Sequence, residues 1–586
     1  MNRSLAITLP YAVCTCHSLF VPSYSSTARL TMSTREVITL QFGHYANFVG
    51  THFWNAQQAQ FTLPSPNAVQ HVDHDVLFRS GQTRASDDEA SASSGSLLLS
   101  GNQTGAVIST YTPRLLAFDL KGSLSTMSKV GAGLYSEYSE RPSTSSADQQ
   151  AAWAGNIQRI EQSTAQKHPF MAELDADYHA AIAGRPRPQR ERFVLDYQNV
   201  RFWSDVCVMH LHPRSVQLTS KFVHHSSIEP FDLYGHGSSV WADPDFQDKV
   251  ETDLHFFAEE CDSLHGFHIL ADVASGFGGL TESVLSLVAD EYGSKSRLVF
   301  GLSPYCHNYS DDLQQETYRA KSAINNVLST AAISELASCY VPVSDSILNF
   351  SPPGLNARAN SWYHSSAVVA SLIDTVTLPY RLTKQHTSIH HILSVLALGG
   401  ARGGLAGLAA ATRYPRTFSP ENLDKQLESA PSYRSSDVEA AFTSFTPGVS
   451  VKGDIRSQFT TLRGILKGLS GEQTQEVFSH FAVAGSLSQA CDTSSAFPLE
   501  APFPCSVFGY ASASEIPTSH PVIASLRSGG RVSSGAVNHA VKALRDASYA
   551  TYAHEYDNCG VSRDDLTEAR ESLLNLRDTD SDDVDF

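Results

Sequence analysis

Through the middle of the chain, short apolar runs take turns with amphipathic stretches. After Val194 the runs Cys207–Leu211, Phe267–Val273 and Arg297–Leu302 read as strands, and Leu313–Leu336 and Ser365–Val376 carry apolar residues at helical spacing. Strand and helix in alternation predict an α/β fold with a parallel sheet covered on both faces. One unit has further content. The run Phe267–Val273 enters a turn holding Gly276, Gly278 and Gly279, and an amphipathic segment, Thr281–Tyr292, leaves it. Glycine permits positive φ and lets a ligand approach the backbone, while the first turn of a helix presents unpaired N–H groups that attract anions. The turn is a candidate phosphate cradle.

Beyond Leu382 the pattern weakens. Ile389–Leu398 reads as a helix, Gly399–Gly407 as a glycine-rich break, and prolines 415, 420, 431 and 447 interrupt the stretch 410–460. A last helix is expected at Arg563–Leu576, with Ser562 as its cap and Leu566, Ala569, Leu573 and Leu576 on one apolar face. An acidic tail, Asp578 to Phe586, follows. Residues 80–105, dominated by Ser, Gly, Asp and Ala, and 138–190, whose ends at 138–150 and 184–190 carry Ser, Pro and Arg, are polar insertions, the second enclosing a helical excursion at Ala151–Ala183 with Trp153, Ile157, Ile160 and Phe170. Residues 1–34 carry Arg3 and Arg29, many Ser and Thr and no acidic residue. That composition suits a mitochondrial transit segment, a disordered extension, or sequence upstream of a start at Met32.

A chain of 586 residues exceeds what one core supports, so at least two packed units are expected. A net charge of −18 argues against a nucleic-acid surface, which needs clustered Lys and Arg. The nine cysteines are scattered and odd in number, as in a reducing compartment. No run approaches the ~20 apolar residues that span a bilayer, so membrane association would be peripheral. Among the 24 histidines, His71-Val72-Asp73-His74 and His224-His225 have ligand chemistry, but zinc needs three or four convergent groups and no second half is evident. No metal site is expected. Motifs of P-loop NTPases, zinc proteases, α/β-hydrolases and EF-hands are absent from the sequence.

Several blocks carry a resemblance. Cys261-Asp262, Leu264 and Gly266-Phe267 before the glycine turn, Arg35–Gly50 with Phe53-Trp54, and Pro113-Arg114 through Phe118-Asp119-Leu120 are similar to tubulin in order and spacing. Trp203-Ser204-Asp205, His210–Ser215, Asp290-Glu291-Tyr292 and Asp374–Leu382 narrow the match, and the chain resembles the Misato family, tubulin-related proteins of mitochondrial distribution and inheritance. The resemblance implies a tubulin/FtsZ-like fold: a nucleotide-binding-type domain at 35–385, a smaller, degenerate α+β second domain at 386–560, and a terminal helix with acidic tail at 561–586. It implies Gly43, Asn47, Asp119, Lys121, Gly276, Gly278 and Gly279 as vestiges of a nucleotide site.

The departures from tubulin bear on chemistry. Phe277 stands where tubulin has Thr, and Gly279-Leu280 where it has Ser-Gly. Lys121 stands where tubulin places a carboxylate near magnesium. An ammonium about 5 Å from a divalent cation costs several kcal/mol at an effective dielectric near 20. Lys121 then either reaches the phosphates in the metal's place or lies on the surface. The stretch His386–His391 lacks the acidic residue with which tubulin positions water. His390 and His391 receive no catalytic role. The family therefore implies a protein that is not an enzyme, with no cofactor unless GTP binds. It implies partners that are proteins (tubulin, a chaperonin or mitochondrial surface proteins) and a location at the outer face of the mitochondrion with a cytoplasmic pool. A polymerising GTPase and a tubulin or chaperonin assembly factor are the alternatives.

Overall fold

The structure, a computed structural model, describes residues 35–62, 72–84, 107–128, 167–182 and 193–581, the last with short interruptions at 227, 306–311, 384–386, 399–403, 412–416, 431–441, 452–453, 467 and 511–516. The N-terminal extension, most of both polar insertions and residues 582–586 of the acidic tail lie outside these.

Strand β1 (Glu36–Phe42) is buried along its whole length. Its alternation splits between two cores: Ile38, Leu40 and Phe42 enter one, Val37 the other. A strand wet on neither face belongs in the middle of a parallel sheet. There β1 lies, between β4 (Leu115–Lys121) and β6 (Leu264–Asp272). A separate hairpin, β2 (Phe78–Arg84) with β3 (Val107–Pro113), leads into β4. The six-stranded sheet has the order β5-β4-β1-β6-β7-β8, with β5 at Val216–Val223, β7 at Ser296–Ser303 and β8 at Cys339–Ser344, every pair parallel. The chain runs from β1 outward to β4 and β5, then returns to β6 on the other side. The crevice at the carboxyl ends of β1 and β6 is therefore the topological switch point, where open α/β sheets bind ligands.

Helices α1 (His44–Thr62) and α7 (Trp362–Thr377) pack in the core on one face, and α3 (Tyr234–Trp241), α4 (Pro244–Glu259), α5 (Phe277–Glu291) and α6 (Asp312–Leu336) on the other. A shorter helix, α2 (Pro169–Ile182), buries Phe170. The second unit holds α8 (Ile389–Ala397), α9 (Leu423–Ser429), α10 (Gly471–Phe481) and a mixed sheet of order β10-β9-β15-β11-β12. Its strands are β9 (Gly407–Ala411), β10 (Phe442–Ser444), β11 (Ser457–Arg463), β12 (Leu487–Thr493) and β15 (Val522–Ser528), while β13 (Phe497–Pro498) and β14 (Ser519–His520) pair apart. Helix α7 touches β11 and β15, so one core runs through both units. The closing helices, α11 (Gly530–Asp546), α12 (Tyr549–Asn558) and α13 (Arg563–Ser581), return to α6 on the first unit. The expected division at 560 thus falls within one helical layer. No described helix is long and apolar enough to cross a membrane.

The α/β architecture with a parallel sheet is as expected; several elements are not. Cys207–Leu211 is no strand: Asn55 of α1 donates to the Val206 carbonyl (2.7 Å) and accepts from the Val208 N–H (3.0 Å), so the run is buried against a helix. The strand is β5, which begins five residues after Leu211. The insertion expected from residue 80 begins inside β2. Of the excursion at 151–183, only α2 and two residues before it are described. Ser562 does cap α13, accepting from the Asp565 N–H at 3.2 Å, and the Asp565 carboxylate accepts in return from the Ser562 N–H at 2.7 Å.

The block Asp374–Leu382 has a structural explanation. Asp374, fully buried in α7, binds Arg381 (2.7 Å) from its own segment and Arg463 from β11, and both arginines are themselves buried. Gln57 of α1 completes the cluster, donating to Asp374 (2.6 Å) and accepting from Arg381 (2.8 Å). Burial opposes ionisation of Asp374, but the two guanidinium groups outweigh it and hold the carboxyl below the usual range. One carboxylate ties both units together.

Candidate functional site

The predicted site residues on β1, α1 and β4 converge at the carboxyl edge of the sheet. Gly43 joins β1 to α1 at φ +101°, a conformation that L side chains rarely adopt, and its N–H donates to the Phe118 carbonyl at 3.1 Å. A Cβ there would lie 2.3 Å from the carboxylate of Asp272. Asp272 ends β6 and reaches across the switch point. Its two oxygens accept from the Tyr45 and Ala46 N–H groups, each at 2.9 Å. Those are the donors at the start of α1 that an anionic ligand would require. Burial pushes the Asp272 carboxyl well above its ordinary range, against the pull of the two N–H donors.

Asn47, one turn into α1, donates through Nδ2 to the Phe118 carbonyl (3.0 Å) and to Asp119 (3.0 Å). The same Asp119 oxygen accepts from Trp203 Nε1 at 2.8 Å and lies 3.3 Å from His44 Nδ1. Its other oxygen accepts from the Leu120 N–H at 2.8 Å. Burial works against this carboxylate, but His44 and the N–H donor hold it below the usual range. His224, just past β5, donates its backbone N–H to the Lys121 carbonyl at 2.9 Å and places its ring 4.2 Å from that of His44. Burial, with His44 and His225 adding to it, lowers the His224 imidazole to about 3. His44, Asp119 and His224 each offer a donor atom, all within 4.8 Å of one another. The Lys121 side chain is exposed.

The expectation of no convergent ligand set is therefore corrected. The His224-His225 pair lacked partners in sequence because they arrive from β4, which pairs with β5, and from β1, the next strand inward. Of His71-Val72-Asp73-His74, His71 lies outside the described residues, and Asp73 and His74 belong to no such ligand cluster among the described residues.

The glycine turn also differs from its expectation. Gly276 is the N-cap of α5 at φ −58°, and Gly278 and Gly279 already belong to the helix, which starts four residues earlier than predicted. None of the three uses positive φ. A Cβ at Gly276 would lie 2.8 Å from the Phe231 ring, at Gly278 2.0 Å from Ser329 Oγ, and at Gly279 2.3 Å from the Tyr234 carbonyl. These glycines let α3 and α6 approach α5. Phe277 is buried edge-on to Phe231 at 4.8 Å, and Asn325 of α6 donates to the Ala274 carbonyl at 3.0 Å, fixing the turn. Across the fold, His390 and His391 open α8, where Ser388 accepts from the His391 N–H (3.1 Å) and the His391 ring contacts Gln489 (2.9 Å).

This edge belongs to a tubulin-like α/β protein. A family described as "Tubulin domain" matches residues 194–382, and "Misato Segment II tubulin-like domain" matches 35–93 and 87–176. Among relatives, Protein misato homolog 1 of Danio rerio is 30% identical over 463 residues, covering 74% of this chain and 72% of that protein. Protein misato homolog 1 of Homo sapiens is 32% identical over 397 residues, 64% of each chain. Protein misato of Drosophila melanogaster is 27% identical over 598 residues, covering 93% and 98%. The chain belongs to the Misato family.

Proposed function

We propose that this chain is a non-catalytic tubulin relative that acts in the distribution, morphology and partitioning of mitochondria and the inheritance of their DNA. It works through protein contacts at the outer mitochondrial surface, with a cytoplasmic pool. The observation that carries the non-catalytic part is Asp272, whose carboxylate takes the N–H groups of Tyr45 and Ala46 at the switch point. A nucleotide phosphate entering there would meet the Asp272 side chain, with the donors already taken, and the glycines of the α5 turn are engaged in helix packing. A guanine nucleotide with magnesium does not fit these residues. The mitochondrial part rests on membership of the family.

Purified full-length chain, titrated with labelled GTP and GDP with and without magnesium, tests the first part: neither measurable turnover nor assembly is expected. Brisk turnover with filament growth would overturn it and favour a polymerising GTPase. Imaging a tagged chain from Met32 beside the full chain, with mitochondrial morphology scored after depletion, tests the second. Unaltered mitochondria with capture of tubulin or chaperonin would favour an assembly factor instead.

A further inference from the structure

The sheet edge carries a second arrangement, one strand away from the switch point. Strands β5, β4 and β1 are neighbours, so His224 after β5, Asp119 near the end of β4 and His44 after β1 meet at their carboxyl ends. Two imidazoles and one carboxylate are the donor set of zinc and its first-row neighbours, whereas magnesium prefers six oxygens. The spacing is informative. His44 Nδ1 and Asp119 Oδ2 stand 3.3 Å apart. That is longer than the usual 2.7–3.2 Å N–H···O range. It matches the roughly 3.3 Å between two ligands on a tetrahedral ion with bonds of about 2 Å.

The surroundings are those of a built site. Trp203 Nε1, Asn47 Nδ2 and the Leu120 N–H all donate to the Asp119 carboxylate and fix its orientation, the role that outer groups play around metal ligands. His224 Nε2 is buried and makes no hydrogen bond. Such a nitrogen is costly to leave in that condition and suited to a metal.

We propose that His44, Asp119 and His224 bind one divalent first-row transition metal, zinc being the ion their chemistry suits best, with a fourth position open to water or to a partner's side chain. The site stands independently of the proposed function, since it requires no nucleotide and excludes none.

Full-length chain, stripped with a chelator and dialysed, would be titrated with Co2+ and then with Zn2+ and Mg2+. One Co2+ per chain with visible bands of low-coordinate cobalt, displaced by zinc and not by magnesium, is expected. His224→Ala alters a partly buried residue and is expected to keep the fold by circular dichroism while weakening binding at least roughly tenfold; Trp203→Phe, which removes an outer donor, is expected to weaken it about 10–100-fold. His255→Ala, at an exposed ion pair with Glu291, is expected to leave binding unchanged. No stoichiometric uptake, displacement by magnesium, or a His224→Ala titration matching the parent would overturn the proposal.

Discussion

Asp374→Ala tests the claim that one buried carboxylate joins the two units. The wild-type cluster holds one negative and two positive groups with side chains at most 1% exposed. Removing the carboxylate leaves Arg381 and Arg463 buried without it and deletes its bonds to Gln57, Arg381 and Arg463. Hydrogen bonds to charged groups contribute about 1.5–3 kcal/mol each, so three would sum to about 4.5–9 kcal/mol if they were independent. They share one acceptor, so the sum overcounts, and about 3–5 kcal/mol, the range for breaking a buried pair, is the expected loss. Against a total of roughly 5–15 kcal/mol, that is a large fraction of the protein's stability.

Urea titration followed by far-ultraviolet circular dichroism reads the loss directly. Arg79→Ala, which breaks the partly exposed pair with Glu260, provides the contrast at under about 1 kcal/mol. The variant combining Gln57→Leu, Asp374→Leu, Arg381→Met and Arg463→Met removes every cluster partner together and is expected to recover most of the loss, because apolar replacements of buried ion clusters are often neutral. An Asp374→Ala protein within about 1 kcal/mol of wild type would refute the reasoning.

Three further outcomes are expected. Gly278→Ala places a Cβ 2.0 Å from Ser329 Oγ and should destabilise by about 1–3 kcal/mol in the same titration, partly relieved by Ser329→Ala. His268 is fully buried between Phe53 and Phe300, and burial, helped by Arg381, lowers it to about 3. A base depressed in the folded state contributes stability above its unfolded value of about 6.5 that is lost as pH falls. Between pH 7 and pH 5 wild type should lose roughly 2 kcal/mol more than His268→Leu, and coincident pH slopes would contradict the assignment. Asp345 works in the opposite sense: burial raises it to about 6. Asp345→Asn should therefore remove about 1 kcal/mol of the stability that wild type gains as pH falls from 7 to 5, again by urea titration at the two pH values.

The fold was legible where burial is two-sided. Phe267–Val273 and Arg297–Leu302 are mostly apolar runs, and the strands lie there within a few residues. Strand β5, VQLTSKFV, lies at the sheet's edge with an irregular burial pattern and exposed Ser220 and Lys221, so its sequence gave no continuous signal. Cys207–Leu211 gave that signal without the strand, since an apolar run reports burial and not what covers it. Trp203 stood out as part of a family block, but its contact with Asp119 crosses 84 positions. His44 and His224 are farther apart still, and only the strand order brings them together. Asp272 was the hardest to foresee: a carboxylate ending an apolar strand reads as surface until α1 is seen to begin opposite it.

The start of α1 serves both arrangements at this edge. Residues 45 and 46 give their N–H groups to Asp272, while His44 and Asn47 turn their side chains to Asp119. The conformation of the first loop is thus held by protein groups on β6 and β4, the two strands that flank β1. Retention of Gly43 needs no nucleotide to explain it, because any Cβ at that position would collide with the Asp272 carboxylate. A frame that resembles a nucleotide site can therefore persist on internal hydrogen bonds alone. At the strand end opposite the loop, the Asp272 side chain faces the donors, and His44 lies beside them.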